Sequence, residues 1–165
     1  MVWHGNYLLG ATMKHEIPGV GTLDIETIIL DLNGTLSVAG VIPDGTQERL
    51  SQLKGLGYRL MLFTGNTRGD ADELAGRLGI EWKLAKSAED KRRLTEELDA
   101  SKCASIGNGR IDKDMMESVA LAILTMQAEG IHVETLLVSD IVVPTILDAL
   151  DLFIDPARLV ATLRK

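Results

Sequence analysis

The chain has 165 residues, 45% of them hydrophobic and 25% charged, the balance of a globular domain with enough length to bury a core without disulfides. A formal charge of −7 with no run of Lys or Arg argues against nucleic acid or an anionic membrane surface as main partner, and no apolar run approaches the ~20 residues of a membrane helix. The single cysteine, Cys103, excludes an internal disulfide and suits a reducing cytoplasm; its apolar surroundings suggest a small buried residue and not a nucleophile.

Residues 1–12, MVWHGNYLLGAT, differ in character from the rest of the chain and lack the pattern of a signal peptide. They are expected to be an extension, a cloning remnant or an upstream start, ahead of one domain over 13–165. From Met13 the stretch MKHEIPGVGTLDIE reads as strand, Pro-Gly turn, strand. The pattern then alternates. Strands are expected over 27–32, 58–64, 103–106 and 119–124, and helices over 44–56, 69–78, 88–98 and 112–117. Further on, a short helix is expected over 132–138 and a last strand over 140–143. Pro144 should open a helix over 145–152, and Pro156 another over 157–163. Several strands are continuous apolar runs, as in sheets covered on both faces. Alternating strands and helices predict an α/β fold with a mostly parallel sheet.

In such sheets ligands bind outside the carboxyl ends of the strands. The first long strand ends in Asp31, the second in Thr64-Gly65-Asn66, the third in Gly107-Asn108-Gly109-Arg110-Ile111-Asp112. Each is a polar group beside a glycine, where backbone can approach an anion. Alone, each has a plainer reading as a turn or a helix cap. Together, in order, they suggest a site. His4, His15 and His132 lack metal-ligand spacing and read as surface or packing residues, as do Trp82 and the Met115-Met116 pair.

A carboxylate at a strand end can attack phosphorus and form an aspartyl phosphate. The incoming group is already negative, so the attack needs charge relief, for which Mg²⁺ held by one or two carboxylates, phosphate oxygens and water is the usual device. Asp31 and Asp112 would be its charged ligands or stand just behind them. The Asn108 amide oxygen and the Asn33 carbonyl would complete the protein's share. Thr64 offers a hydroxyl to a phosphoryl oxygen, with Gly34, Gly65 and Asn66 around it. A lysine should neutralise the transferring group. Lys86 and Lys91 compete for that role, with Lys91, at a helix start, preferred.

Asp31-Leu32-Asn33-Gly34-Thr35-Leu36 resembles the first motif of the haloacid dehalogenase (HAD) superfamily, Asp-x-Asp-Gly-Thr. Leu62-Phe63-Thr64-Gly65-Asn66 is similar to its second motif. Glu89-Asp90-Lys91 resembles the Pro-x-Asp-Lys of P-type ATPases, and Ile106-Gly107-Asn108-Gly109-Arg110-Ile111-Asp112 their Gly-Asp-Gly-x-Asn-Asp. The resemblance covers residues 25–143 and points to soluble relatives of the P-type ATPase phosphorylation domain. It implies a Rossmann-like core with helices on both faces, Mg²⁺, and phosphoryl transfer with Asp31 as nucleophile. Thr64 and Lys91 would bind the phosphoryl group, Asp112 would support the metal, and Asn108 would take a ligand's place.

The resemblance also limits the expectation. Family phosphatases use the second acid of the first motif as general acid and base, and here Asn33 replaces it. Loss of such a group typically removes ~10²–10⁴-fold in rate. Asn66, Asn108 and Ile111 are further departures. The expected function is a slow, Mg²⁺-dependent phosphohydrolase; the alternative is a phosphate- or nucleotide-binding or regulatory module without turnover. The spacings between the motifs leave no room for a cap domain. An open site implies a large substrate or a second subunit that covers it, with the hairpin as an edge support; the expected partner is a phosphorylated small molecule or phosphoprotein.

Overall fold

The computed structural model describes residues 13–165; the segment 1–12, expected to be an extension, lies outside the described residues. The described chain opens with two short strands, β1 (Met13–Ile17) and β2 (Gly21–Ile25). Strands then alternate with helices: β3 (Thr27–Asp31), α1 (Thr46–Gly55), β4 (Arg59–Thr64), α2 (Ala71–Leu78), β5 (Glu81–Leu84), α3 (Ala88–Glu97), β6 (Cys103–Gly107), α4 (Lys113–Ser118) and β7 (Leu121–Thr125). The chain ends through α5 (Val133–Leu137), β8 (Ile141–Val143), α6 (Ile146–Ile154) and α7 (Pro156–Leu163).

β3 to β8 form one parallel sheet in the order β5-β4-β3-β6-β7-β8. The chain builds outward from β3 to β5, then crosses back to lay β6 on the other side of β3. The order therefore reverses between β3 and β6, the place where sheets of this kind open a crevice.

Alternation along the strands divides the core in two. Ile28, Leu30, Leu60, Leu62, Ala104 and Ile106 face α1, α2 and α6, whose Leu50, Leu53, Ala75, Ile146 and Phe153 are buried against them. Ile29, Met61, Phe63, Cys103, Ala122 and Leu124 face the other way, onto Leu94 of α3 and Met115 and Met116 of α4. Every residue of β3, β6 and β7 is buried, which is why these segments read as unbroken apolar runs. Register sets Asp31 beside Phe63, Leu30 beside Ile106, and Gly107 beside Leu124, so the strands finish on a common rim.

The sequence expectations differ from the structure at three places. β5 has no counterpart among the expected strands: it is a four-residue edge strand whose side chains are largely exposed, so it carries no apolar run. α6 begins at Ile146 because Thr145 caps it; the Thr145 hydroxyl accepts from Asp148 N–H at 3.2 Å, and the Asp148 carboxylate accepts from Thr145 N–H at 3.1 Å. Pro144 thus precedes the helix instead of opening it. The hairpin does not extend the edge of the main sheet. It is a separate two-stranded sheet leading straight into the amino end of β3, anchored by His15 on the Tyr58 hydroxyl at 3.1 Å.

Candidate active site

Asp31 is the last residue of β3, and its carboxylate is buried at the crevice. Lys91 comes from the first turn of α3, a helix started by the Ser87 hydroxyl accepting from Asp90 N–H at 3.1 Å. The Lys91 side chain is 0% exposed, and its Nζ donates to Asp31 Oδ1 and to Asp112 Oδ1, both at 2.6 Å. Burial alone would lower the lysine's pKa; the two carboxylates overcome that and hold the ammonium above its ordinary value. Burial pushes the Asp31 carboxyl up to about 6, against the pull of Lys91, with Asp112 adding to the rise.

Asp112 ends the short 3₁₀ turn Arg110–Asp112 after β6. Its second oxygen, Oδ2, accepts from the N–H groups of Asn108 at 3.0 Å and Gly109 at 2.9 Å. A Cβ on Gly107 would approach this carboxylate to 2.8 Å, so the glycine is what lets it fold back under its own loop. Both oxygens are thereby engaged, and Asp112 stands behind Lys91 as its partner.

Asn108 is a tie across the site. Its Oδ1 accepts from the Thr35 hydroxyl at 3.2 Å and its Nδ2 donates to the Gly130 carbonyl at 2.9 Å. Gly34, at φ +79°, lies directly against that amide; a side chain there would collide with Asn108 Nδ2. Asn33, one residue earlier, is exposed at the mouth.

Thr64 ends β4 and is buried. Its hydroxyl oxygen accepts from Asn66 N–H at 3.2 Å, and its own proton has no acceptor among the described residues. Asn66 adopts the left-handed region at φ 51° and turns its side chain to α2, where Oδ1 accepts from Ala71 N–H at 3.0 Å. The Asn66 side chain is therefore committed to a helix start, and Gly65 lies half-buried beside it. Lys86, exposed, lines an open cavity of about 480 Å³ with Gly65, Asn66, Thr67 and Leu84. Of the two candidate lysines, Lys91 reaches the carboxylates.

The structure thus brings together Asp31, Lys91 and Asp112, with Asn108 joined to the first-motif loop. Sequence reasoning missed Thr35 and Gln127. Gln127 comes just after the strand β7, and its Nε2 donates to the carbonyls of Gly34 at 3.1 Å and Thr35 at 2.6 Å. The signal was present: Thr125 and Gln127, polar residues after an apolar strand and near Gly130, repeat the pattern that marked the other strand ends.

Among the described residues no group of three or more His, Cys, Asp and Glu side chains is placed to hold a metal ion. The side-chain oxygen donors at the crevice are of another kind: the Asp31 carboxylate and the Asn108 amide oxygen, the latter also accepting from the Thr35 hydroxyl. Two carboxylates about one ammonium leave one negative charge when all are ionised. Hard oxygen donors with a small negative charge suit Mg²⁺ completed by water and phosphate oxygens.

Among the described residues no inserted domain covers the crevice. From Asp31 to Thr64 the chain holds a loop, with a small bridge pairing Val38 and Val41, and α1; from Thr64 to Lys91 it holds α2 and β5. No described helix is long and apolar enough to cross a membrane.

No family model matches the chain. Among curated relatives, the zinc/cadmium/lead-transporting P-type ATPase of Escherichia coli is 27% identical over 116 residues, 67% of this chain and 16% of the transporter. The chain therefore spans about one sixth of the length of that transporter. An uncharacterized protein of Methanocaldococcus jannaschii is 41% identical over 78 residues, 45% of this chain and 84% of that protein. Among solved structures, 3-deoxy-D-manno-octulosonate 8-phosphate phosphatase from Moraxella catarrhalis, in complex with magnesium, phosphate and KDO, superposes with a TM-score of 0.66. It is 22% identical, over 85% of this chain and 94% of the phosphatase. A zinc-transporting PIB-type ATPase gives 0.62 at 26% identity, over 73% of this chain and 20% of the ATPase. With the ordered motifs and the parallel core, these likenesses give the chain an HAD-like fold, with structural neighbours among HAD phosphatases and sequence relatives among the P-type ATPases, whose phosphorylation domain is HAD-like.

Proposed function

We propose that the chain is a capless phosphohydrolase that works through an aspartyl phosphate at Asp31 and turns over slowly. The observation that carries this reading is the buried Lys91 bridging Asp31 and Asp112 at the sheet's switch point. A buried lysine between two acids is costly to keep for stability alone. At a carboxylate that must accept a negative phosphoryl group, it supplies fixed positive charge without reorganisation.

In this reading Asp31 attacks phosphorus as the bond to the leaving oxygen breaks, and water later hydrolyses the acyl phosphate. Lys91 neutralises the transferring group, and the free proton of Thr64 donates to one of its oxygens. Asp31, the Asn33 carbonyl and the Asn108 amide oxygen would hold Mg²⁺, which would supply further charge relief; Asp112 orients Lys91. Asn33 lacks a proton to give to the leaving oxygen and cannot deprotonate water, so both steps rely on solvent. The open crevice suits a phosphorylated small molecule or a phosphoprotein, and a second copy of the chain could cover it.

The test compares parent and Asp31→Asn on an activated aryl phosphate with Mg²⁺. Phosphate release by the parent that disappears in the variant supports the reading; equal background release from both would favour a binding module. That second reading rests on Asn33, an exposed amide where a phosphatase of this family would carry its acid.

A further inference from the structure

We infer that Gln127 is a positioning residue for the nucleophile, acting through the loop after Asp31; the catalytic part of this inference rests on the phosphohydrolase reading above. Adjacent carbonyls, those of Gly34 and Thr35, point towards the end of β7 and need donors. The amide NH₂ of Gln127 serves both, at 3.1 and 2.6 Å, and the Thr125 hydroxyl adds a bond to Gly34 O at 3.3 Å.

The other end of the Gln127 amide is equally determined. Its Oε1 accepts from Ile146 N–H at 3.1 Å, a free donor in the first turn of α6. One side chain thus needs two donors on one end and an acceptor on the other. Glutamine provides this set; an ionised glutamate of the same shape does not.

The link to Asp31 is short. Leu36 N–H donates to the Asp31 carbonyl at 3.2 Å and Ser37 N–H to the Leu32 carbonyl at 2.8 Å, so the turn closes on the main chain of the nucleophile. Gly34 lies so close to Asn108 that a side chain there would collide with its amide, and Asn108 is itself tied to Gly130 in the same turn as Gln127. Glu129, also in that turn, accepts from Ala39 N–H at 2.6 Å on the small Val38–Val41 bridge. The 127–130 turn therefore fixes the first-motif loop at several points along its length.

The test uses Gln127→Glu and the neutral Gln127→Met. Both lower kcat on an aryl phosphate by roughly 10- to 100-fold, with KM changed less than about threefold, because the nucleophile is misplaced and not removed. Gln127→Glu carries a further signature. Protonation restores one donor, so its rate relative to the parent rises at least about fivefold as pH falls from about 8 to about 6, whereas that of Gln127→Met stays flat. In both variants at pH 8 the amides of Gly34, Leu36 and Ser37 exchange hydrogen at least about tenfold faster, with β6 unchanged. Parent-like kcat in both folded variants, or unchanged exchange at these amides, overturns the inference. If the parent itself shows no Asp31-dependent turnover, the phosphohydrolase reading fails separately and the exchange rates still decide whether Gln127 holds the loop.

Discussion

The two ends of the same parallel sheet carry ion pairs of opposite character. At the amino ends, Arg59 meets Glu81 at 2.6 Å and Lys102 meets Glu26 at 2.6 Å, with every partner between 39% and 58% exposed. At the carboxyl ends, Lys91 meets Asp31 and Asp112 at the same distance, but with exposures of 0%, 10% and 1%. Equal geometry in different solvent has different meaning. Water screens the first set, and their loss is nearly silent; the second set must satisfy itself. The fold tolerates this where the strand order reverses, since there the backbone leaves a crevice that side chains from β3, α3 and the loop after β6 can fill.

Breaking the buried set should have the largest effect. Lys91→Met leaves two carboxylates without their cation and should destabilise by about 3–5 kcal/mol in urea unfolding, with turnover lost. Adding Asp31→Asn to that variant should recover part of the loss, because one of the stranded charges is gone. A Lys91→Met protein as stable as the parent would mean that the cluster is not the tight triad described.

Restoring the missing acid comes next. Asn33→Asp should raise aryl phosphate hydrolysis by about tenfold or more, part of the ~10²–10⁴-fold that a positioned acid/base supplies. No gain in a folded variant would show that the slow step lies elsewhere.

The pH dependence is set by Asp31. Its folded value, about 6, lies above the ordinary 3.8, so the folded chain keeps a proton that the unfolded chain has released. Its contribution to stability is therefore greatest below 3.8 and is lost as pH rises through about 6. In metal-free protein the parent should lose stability over this window relative to Asp31→Asn. For turnover the direction is opposite: the ionised carboxylate attacks, so kcat/KM should fall below about pH 6. The smallest effect belongs to the exposed end: Arg59→Ala should change stability by about 1 kcal/mol or less.

Much of this contrast was legible in the sequence. The apolar runs of β3, β4, β6 and β7 announced a sheet covered on both faces, and their polar endings marked the rim on which Asp31, Thr64 and Asn108 stand. β5 was not legible, because Glu-Trp-Lys-Leu alternates over only four residues, too short a stretch to differ from a loop. The preference for Lys91 over Lys86 comes from its place at a helix start; the coordinates add that Lys91 reaches Asp31 and Asp112 from α3, whereas Lys86 lies exposed in the loop before that helix. Gln127 showed its place near a strand end but not its role. Its partners are main-chain carbonyls more than ninety residues away, and main-chain groups leave no trace in residue identity.

The most direct test is to trap the intermediate. Incubation with an activated aryl phosphate and Mg²⁺, acid quenching and peptide mass spectrometry should find one phosphoryl group on Asp31. It should be absent from Asp31→Asn and shorter-lived in Asn33→Asp than in the parent. A phosphoryl group on any other residue that persists in Asp31→Asn, or parent turnover with no labelled peptide in parent or variant, would contradict the account.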